Sequence, residues 1–483
     1  MNANNSQLIK HAEEVFKKVE YYQKRGLICD DGDFVPSVHY PPITQYPDCD
    51  VNEYLKDYEY PADGFMDLYV HVPFCIRHCV YCHYPGMTGE CDEEKAKYVS
   101  YLMREIDMYL KRFNIDRIRP RSILLGGGTP SYMQPELFEK FLTGMDERLD
   151  KSACKQYNID LDPNSLLGDD GLKRLESMKK HGITRLTIGL QSLNNDVLKL
   201  MNRPHDAAMA VESAYRAMDF GFDVNIEFIY GYPGETLDNW IDVIRQAVQI
   251  PVGEIQIYRL KVQAYGDMQG AINRLTRGSG GTDIPDFRHT MMMKQIAIDI
   301  LNENGYHETL RRVYAKDKRI FSHYAYNQCC NLYDQVGFGM TGFSSYHDRF
   351  DINAMTFDEY YRMIDEGKLP ITRGYIRPLK EQIRQAIVLP LKNRSIIKAD
   401  FKCRTGVSFD DIFHEKTRTL IGEGLLEDNG KVVKLTEIGG FLADEVCEMY
   451  NSNDYKPFPR ERYADDILNP YRDNDLDEEL MVG

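Results

Sequence analysis

Cys75, Cys79 and Cys82 lie in the segment Tyr69-Val70-His71-Val72-Pro73-Phe74-Cys75-Ile76-Arg77-His78-Cys79-Val80-Tyr81-Cys82, three thiols within one short loop. Three thiolates can hold a [4Fe-4S] cube and leave one iron open to a small-molecule ligand, where four would close it. A structural zinc site is the competing reading and needs a fourth ligand, which His71, His78 or His83 could supply. Zinc sites, however, favour paired cysteines two residues apart. Disulfides fit less well. The chain opens Met1-Asn2-Ala3-Asn4 without the basic start and apolar core of a secretory signal, so a reducing, cytoplasmic setting is expected.

Further motifs follow in order: Gly126-Gly127-Gly128-Thr129-Pro130-Ser131, Asp160-Leu161-Asp162-Pro163, Gly189-Leu190-Gln191-Ser192, Asn202-Arg203 and Tyr230-Gly231-Tyr232-Pro233. Together with the cysteine loop this series resembles the radical S-adenosylmethionine superfamily and, within it, the oxygen-independent coproporphyrinogen III oxidase-like family with its methyltransferase, cyclopropanase and haem-chaperone relatives. The resemblance spans residues 65 to 450. It implies that Cys75, Cys79 and Cys82 hold the cluster, that S-adenosylmethionine chelates the open iron, and that an electron cleaves it to methionine and a 5'-deoxyadenosyl radical. It also implies an external reductant such as flavodoxin or ferredoxin. The cofactor supplies the difficult chemistry, and the protein positions the reacting atoms.

By the same resemblance Tyr69, Gly127, Gly128, Thr129, Asp160, Gln191, Arg203, Glu227, Gly339 and Thr341 bind S-adenosylmethionine. Gly126 to Thr129 follow the apolar run Ser122-Ile123-Leu124-Leu125, which reads as a buried strand ending in a turn where glycine lets the backbone approach a ligand. Tyr69 and His71 share one face of a strand; core packing is the ordinary fate of such an aromatic, and a structural role is as open to His71 as proton carriage. Gln335 to Ser344 resembles the family's glycine-rich closing turn, and the persistence of Tyr69, Gln191, Arg203 and this turn implies room for two S-adenosylmethionine molecules.

Two departures bear on the reaction. The oxidase has Glu where this chain has Asp160 and Asp where it has Glu227, so one carboxylate is shorter and the other longer. A further oxidase cysteine is replaced by Tyr84, and Tyr326-Asn327-Gln328-Cys329-Cys330 lacks the oxidase's glutamine-glycine-tyrosine pattern. Tyr84 and the missing pattern point to a tailoring enzyme acting by radical methylation, cyclopropanation or related carbon–carbon chemistry on a tetrapyrrole or other unsaturated or aromatic small molecule. Coproporphyrinogen III oxidation and a haem chaperone without turnover, with His323 and Asn327 approximating its histidine motif, are the alternatives. The adjacent Cys329 and Cys330 read as small buried residues rather than a redox pair.

The elements that must position these residues alternate. Strands are expected over 66–72, 122–125, 157–161, 185–188, 224–230 and 254–260, separated by helices near 93–112, 135–149, 168–180, 207–221 and 237–249. Repeated strand–helix units imply parallel strands with the site at their C-terminal ends; the resemblance implies a partial (β/α)6 barrel of α/β class. The expected organisation is an N-terminal arm over 1–64, the barrel over 65–345, a connector over 346–377, a small helical, winged-helix-like lid over 378–455 and an acidic tail over 456–483. The arm reads equally as a wrap over the barrel or a loose appendage. Gly278 to Thr282 reads as a flexible break, and Phe287 to Glu303 as a helix. Within the lid, helices are expected over 383–391, 409–423 and 438–449.

Of 483 residues, 43% are apolar and 28% charged, with a net charge of −16. That balance disfavours nucleic acid, whose phosphates an acidic surface repels, and the longest apolar runs are of strand length, too short for a membrane span. Replacing Cys75, Cys79 or Cys82 with Ala should each abolish the broad iron–sulfur absorbance of reconstituted protein, while Cys329→Ala leaves iron content unchanged; full iron content in any of the first three variants would contradict the ligand assignment.

Overall fold

The computed structural model describes residues 4–35, 38–82, 84–261 and 284–472. Six parallel strands follow one another in the sheet: β1 (Asp67–Val72), β2 (Ser122–Gly127), β3 (Gln156–Leu161), β4 (Arg185–Gln191), β5 (Asp223–Tyr230) and β6 (Glu254–Arg259). Their outward residues, among them Leu68, Val70, Ile123, Leu125, Ile159, Leu186, Ile226 and Ile255, are buried against the intervening helices. Burial of apolar side chains on that face drives the layering, at about 25 cal/mol per Å² of apolar surface. The sheet does not close. Beyond β6 it adds β8 (Val313–Ala315) and β7 (His307–Leu310) as antiparallel strands. On the other flank β9 (Gln335–Phe338) runs parallel to β1, followed by antiparallel β10 (Phe343–Ser345), β11 (Arg349–Asn353) and β12 (Ile371–Ile376). The fold is thus an α/β partial barrel set in a twelve-stranded sheet, and the stretch 346–377, expected as a connector, carries two of its strands.

The inward face is polar. Alternation sends Asn158 and Asp160 of β3, Arg185 and Thr187 of β4, Asn225 and Glu227 of β5, and Glu254, Gln256 and Tyr258 of β6 to one side. Arg185 meets Glu254 through two parallel bonds of 2.8 Å and also donates to Thr187 at 2.9 Å. The pair is 4% and 0% exposed. Below it, the helix His323–Tyr326 runs into a single π-turn, Asn327–Asn331. Asn327 donates to Asp67 (2.8 Å) and Ser122 (3.3 Å), and the His323 amide donates to Gln156 (2.8 Å). His323 and Asn327, offered above as an approximate haem motif, thus tie this turn to the strands.

The N-terminal helix, Asn5–Lys24, is capped by Asn4 and packs on the helix Phe287–Glu303. Residues 40–58 lie along β11 and β12: the Cys49 amide donates to Thr372, the Gly374 amide to Pro47, and Arg349 to the Tyr54 carbonyl. The C-terminal segment opens with the helix Leu379–Asn393 and carries a small antiparallel sheet of β13 (Ser395–Ile397), β14 (Leu426–Asp428) and β15 (Val432–Leu435). The helix expected over 409–423 is broken at Phe413, whose φ of 52° lies in the left-handed region, and that over 438–449 is interrupted at Leu442. The break at 278–282, residues 473–483 of the acidic tail and His83 lie outside the described residues. Among the described residues no helix is long and apolar enough to cross a membrane.

Candidate functional site

The chain leaves β1 at Pro73 and Phe74, whose ring is buried against Tyr98 at 5.4 Å between centroids. Two backbone bonds close the base of the loop, Cys75 N to Met87 O (2.9 Å) and Met87 N to Pro73 O (2.7 Å), and a turn closes its tip, Cys82 N to Cys79 O (3.2 Å). Residues 201–203 hold its middle. The Val80 amide donates to Met201 O (3.2 Å), Asn202 donates to the His78 carbonyl (2.9 Å), and the Arg203 guanidinium reaches Cys79 Sγ and Tyr81 Oη (both 3.2 Å), Asp162 (2.7 Å) and the Gly189 carbonyl (2.7 Å). Asn202 stands at φ 58°, which turns the backbone so that the two side chains point back at the loop.

Cys75, Cys79 and Cys82 are free thiols, each partly exposed. Burial, followed by the neighbouring Cys82 and Cys79, pushes the Cys75 thiol up to about 12. A thiol that resists ionisation alone becomes a ligand when a cation offsets its charge. The loop is not drawn in around a single ion: among the described residues the one group of three metal-type ligand atoms lying within 4.8 Å of one another is Cys29, Asp30 and Asp31. There Arg462 already pairs with Asp30 (3.1 Å) and approaches Cys29 Sγ (3.8 Å). His71 is turned into the barrel, bonded to Tyr69, and the His78 ring lies against the Cys79 carbonyl (3.1 Å). Thiols spread wider than one ion requires fit a larger polynuclear group.

The glycine turn presses on this loop. A Cβ on Gly128 would lie 2.6 Å from Phe74 O and 2.8 Å from Cys75 Sγ, and one on Gly127, at φ 107°, would lie 2.8 Å from His71 Nε2. Only glycine allows that approach. The Gly128 and Thr129 amides are engaged by Val72 O (2.8 Å) and Phe74 O (2.7 Å). A ligand's amino group, as a donor, would meet this segment at its carbonyl or hydroxyl oxygens.

Tyr69 is buried with its hydroxyl 3.0 Å from His71 Nδ1, while His71 Nε2 lies 3.2 Å from Pro85 O. Burial lowers the His71 pKa to about 4. The ring is therefore neutral, Nε2–H donates to Pro85, and Nδ1 accepts from Tyr69. Phe343 covers Tyr69 at 4.6 Å.

Asp160 and Glu227 project into the barrel near Arg185. Burial raises Asp160 to about 6 against the pull of Arg185 and a bond from Thr187; burial and then Asp160 raise Glu227 to about 7 against a bond from Tyr258 (3.2 Å). The carboxylate that pairs with Arg203 is instead Asp162. Although burial opposes it, Arg203 and His205 hold that carboxyl well below the usual range. Asp162 lies inside the Asp160–Pro163 motif, yet its role, like those of Arg185, Thr187 and Tyr258, carries no separate sequence signal.

Gln191, at φ 68°, sits where β4 slips register, and a Cβ on Gly189 would meet its Nε2 at 2.6 Å and Arg203 at 3.8 Å. Gly339 lies on the opposite flank of β1. Its amide donates to Glu105 (2.8 Å), which also accepts from Asn353 (2.7 Å) and Tyr360 (2.6 Å), and a Cβ there would meet the His71 carbonyl at 2.4 Å. Thr341 follows at φ 59°. Gln191 Oε1, Arg203 Nε and Thr341 Oγ1 are buried with no protein partner, which a polar ligand would supply. Tyr84 is 61% exposed and close enough to affect Tyr69 and Tyr258, at the mouth of the barrel. Cys329 and Cys330 sit half-buried on the π-turn, where burial pushes both thiols up.

The profile of the Radical SAM superfamily matches residues 69–247, and that of the HemN C-terminal domain matches 378–442. The chain is 25% identical over 413 residues to the haem chaperone HemW of Lactococcus lactis, covering 80% of this chain and 97% of that protein. It is 24% identical over 410 residues to the oxygen-independent coproporphyrinogen III oxidase of Pseudomonas aeruginosa, covering 80% and 85%. The solved structure of coproporphyrinogen III oxidase (HemN) from Escherichia coli superposes with a TM-score of 0.73 at 21% identity, over 86% of this chain and 97% of that one, which establishes the shared fold.

The carboxyl pair makes a pH prediction. A carboxyl whose pKa is higher folded than unfolded binds protons on folding, so its contribution favours the folded state at low pH and is lost as pH rises through the folded value. For Glu227 that window runs from 4.5 to about 7. Denaturant unfolding of Glu227→Gln should show a decline in stability between about pH 5 and 7.5 smaller than wild type's by on the order of 1–3 kcal/mol; an identical decline would show that Glu227 does not carry it.

Proposed function

We propose that this chain, which belongs to the radical S-adenosylmethionine superfamily and within it to the coproporphyrinogen III oxidase-like family, holds a [4Fe-4S] cluster through Cys75, Cys79 and Cys82 and binds S-adenosylmethionine at the mouth of its barrel. Bound there, the two supply one-electron reductive cleavage and a radical that abstracts hydrogen from an organic substrate. The observation that carries this reading is the meeting, at the ends of β1 to β5, of three partly exposed thiols, a glycine turn that tolerates no side chain, and the buried unpartnered atoms of Gln191 and Arg203.

The chain's own residues divide the work. Arg203 fixes the loop that carries the thiols, reaching Cys79 Sγ directly. Tyr69 and neutral His71 form a fixed polar edge beside the glycine turn. Asp160 and Glu227 act on each other across β4, so the shortening of one and lengthening of the other fall in one space and can offset each other for one ligand. Gly339 and Thr341, on the far flank of β1, suit a second S-adenosylmethionine. Partial exposure of the thiols lets a flavodoxin or ferredoxin deliver electrons, in a reducing, cytoplasmic setting.

Tyr84 at the mouth, in place of a cysteine, favours a tailoring reaction (radical methylation, cyclopropanation or related carbon–carbon chemistry) on an unsaturated or aromatic substrate, with residues 378–455 as its cover. Coproporphyrinogen III oxidation is the second reading, favoured by the relatives bearing that name. A haem chaperone without turnover is less well supported, since the Asn327 amide is already bound by Asp67 and Ser122. Reconstituted, reduced protein incubated with S-adenosylmethionine should release 5'-deoxyadenosine, with S-adenosylhomocysteine beside it if a methyl or methylene group is transferred. No 5'-deoxyadenosine under any substrate condition would overturn the enzyme reading.

A further inference from the structure

A cleft of about 910 Å³ lies between the N-terminal helix, the helix Phe287–Glu303, the β7–β8 hairpin and the β13–β15 module. That volume falls within the roughly 300–1,000 Å³ of small-molecule sites. None of the cysteine loop, the glycine turn or the Asp160–Glu227 pair lines it. In a chain of net charge −16 its wall carries six lysines and arginines against three glutamates, a local excess of basic side chains.

The carboxylates there are largely committed: Glu308 accepts from the Arg312 amide (2.7 Å) and Glu427 pairs with Lys434 (3.1 Å), which leaves Glu437. Several cations are not. Lys18 and Lys318 are exposed and make no ion pair among the described residues. Arg394 lies over the Phe321 and Tyr326 rings (4.7 and 5.0 Å) and its Nε donates to the Thr309 carbonyl. Lys392 is 8% exposed, lines the cleft, and makes no hydrogen bond or ion pair among the described residues. A desolvated ammonium without a partner is costly, and burial lowers the Lys392 pKa accordingly. Arg311, also 8% exposed, pairs with Asp444 (3.2 Å) and Glu308 (3.6 Å) but leaves its Nε unpartnered. Apolar surface from Ile298, Ile438 and Phe441 completes the wall.

We infer that this cleft is a second ligand site, separate from the cysteine loop, that takes a small organic anion, its apolar body against Ile298, Ile438 and Phe441 and its anionic groups among Lys392, Arg394, Lys18 and Lys318. Such a ligand gives the Lys392 ammonium and Arg311 Nε hydrogen-bond partners that the described residues do not. Occupancy requires neither the cluster nor S-adenosylmethionine, so the site stands or falls independently of the radical chemistry.

The test uses 8-anilinonaphthalene-1-sulfonate, which joins an apolar body to one anionic group, titrated by fluorescence into the full chain, with uncharged N-phenyl-1-naphthylamine as the comparison. The expected result is a saturable site whose affinity for the sulfonate falls by about tenfold or more in the exposed double variant K18E/K318E, from the reversal of two nearby charges, with no change in melting temperature and no change for the uncharged probe. Lys392→Met should weaken the sulfonate similarly; should that buried change prevent folding, the double variant decides alone. Unaltered sulfonate affinity in K18E/K318E, or titrations that never saturate, would overturn the proposal.

Discussion

Arg203 is the constraint on which the arrangement of the site depends. One guanidinium joins the loop, through Cys79 and Tyr81, to the strand ends, through Asp162 and the Gly189 carbonyl, at distances of 2.7 to 3.2 Å. Its planar array of donors satisfies partners in several directions at once, which the compact ammonium of lysine cannot do. Both it and Asp162 are 8% exposed. Removing one member of a buried pair typically costs about 3–5 kcal/mol because the other charge is left uncompensated. Cysteine loop, Asp162 turn and β4 are therefore one unit.

Beneath that unit the barrel is polar where many small barrels pack hydrocarbon. Arg185 and Glu254 neutralise each other between the strands, the Asn327 turn satisfies Asp67, and the field of Arg185 reaches Asp160 and Glu227 above. The apolar stabilisation comes from the outward face of the sheet, leaving the interior free to fix the ionisation of the two carboxyls at the mouth. Structure and chemistry draw on opposite faces of the same strands, as their alternation permits.

Much of this was legible in the sequence because it depends on local pattern. Helices over 168–180 and 287–303 begin and end where the periodicity places them, and the six parallel strands lie where apolar runs alternate with those helices. What was not legible depends on partners distant in the chain. β11 and β12 hide in an assumed connector because they pair antiparallel beyond β9 and β10. The left-handed Phe413 breaks a helix that propensity would carry through. Arg203 was legible as a site residue through its Asn202-Arg203 motif, whereas its choice of Asp162 over Asp160 is settled by height: Asp160 lies within β3 and Asp162 just past its end, within reach of the guanidinium. The basic cleft assembles from four separate stretches of chain and has no motif at all.

Hydrogen exchange on the metal-free protein tests the central role of Arg203 most directly. The amides of Val80 and Cys82, bonded to Met201 O and Cys79 O, report the loop, and those of β1 to β4 report the barrel. In Arg203→Lys, which keeps a charge for Asp162 but cannot span all four partners, the account predicts that Val80 and Cys82 lose protection by about tenfold or more, a local opening of about 1.4 kcal/mol, while the strands are unchanged. Loop protection equal to wild type would contradict it.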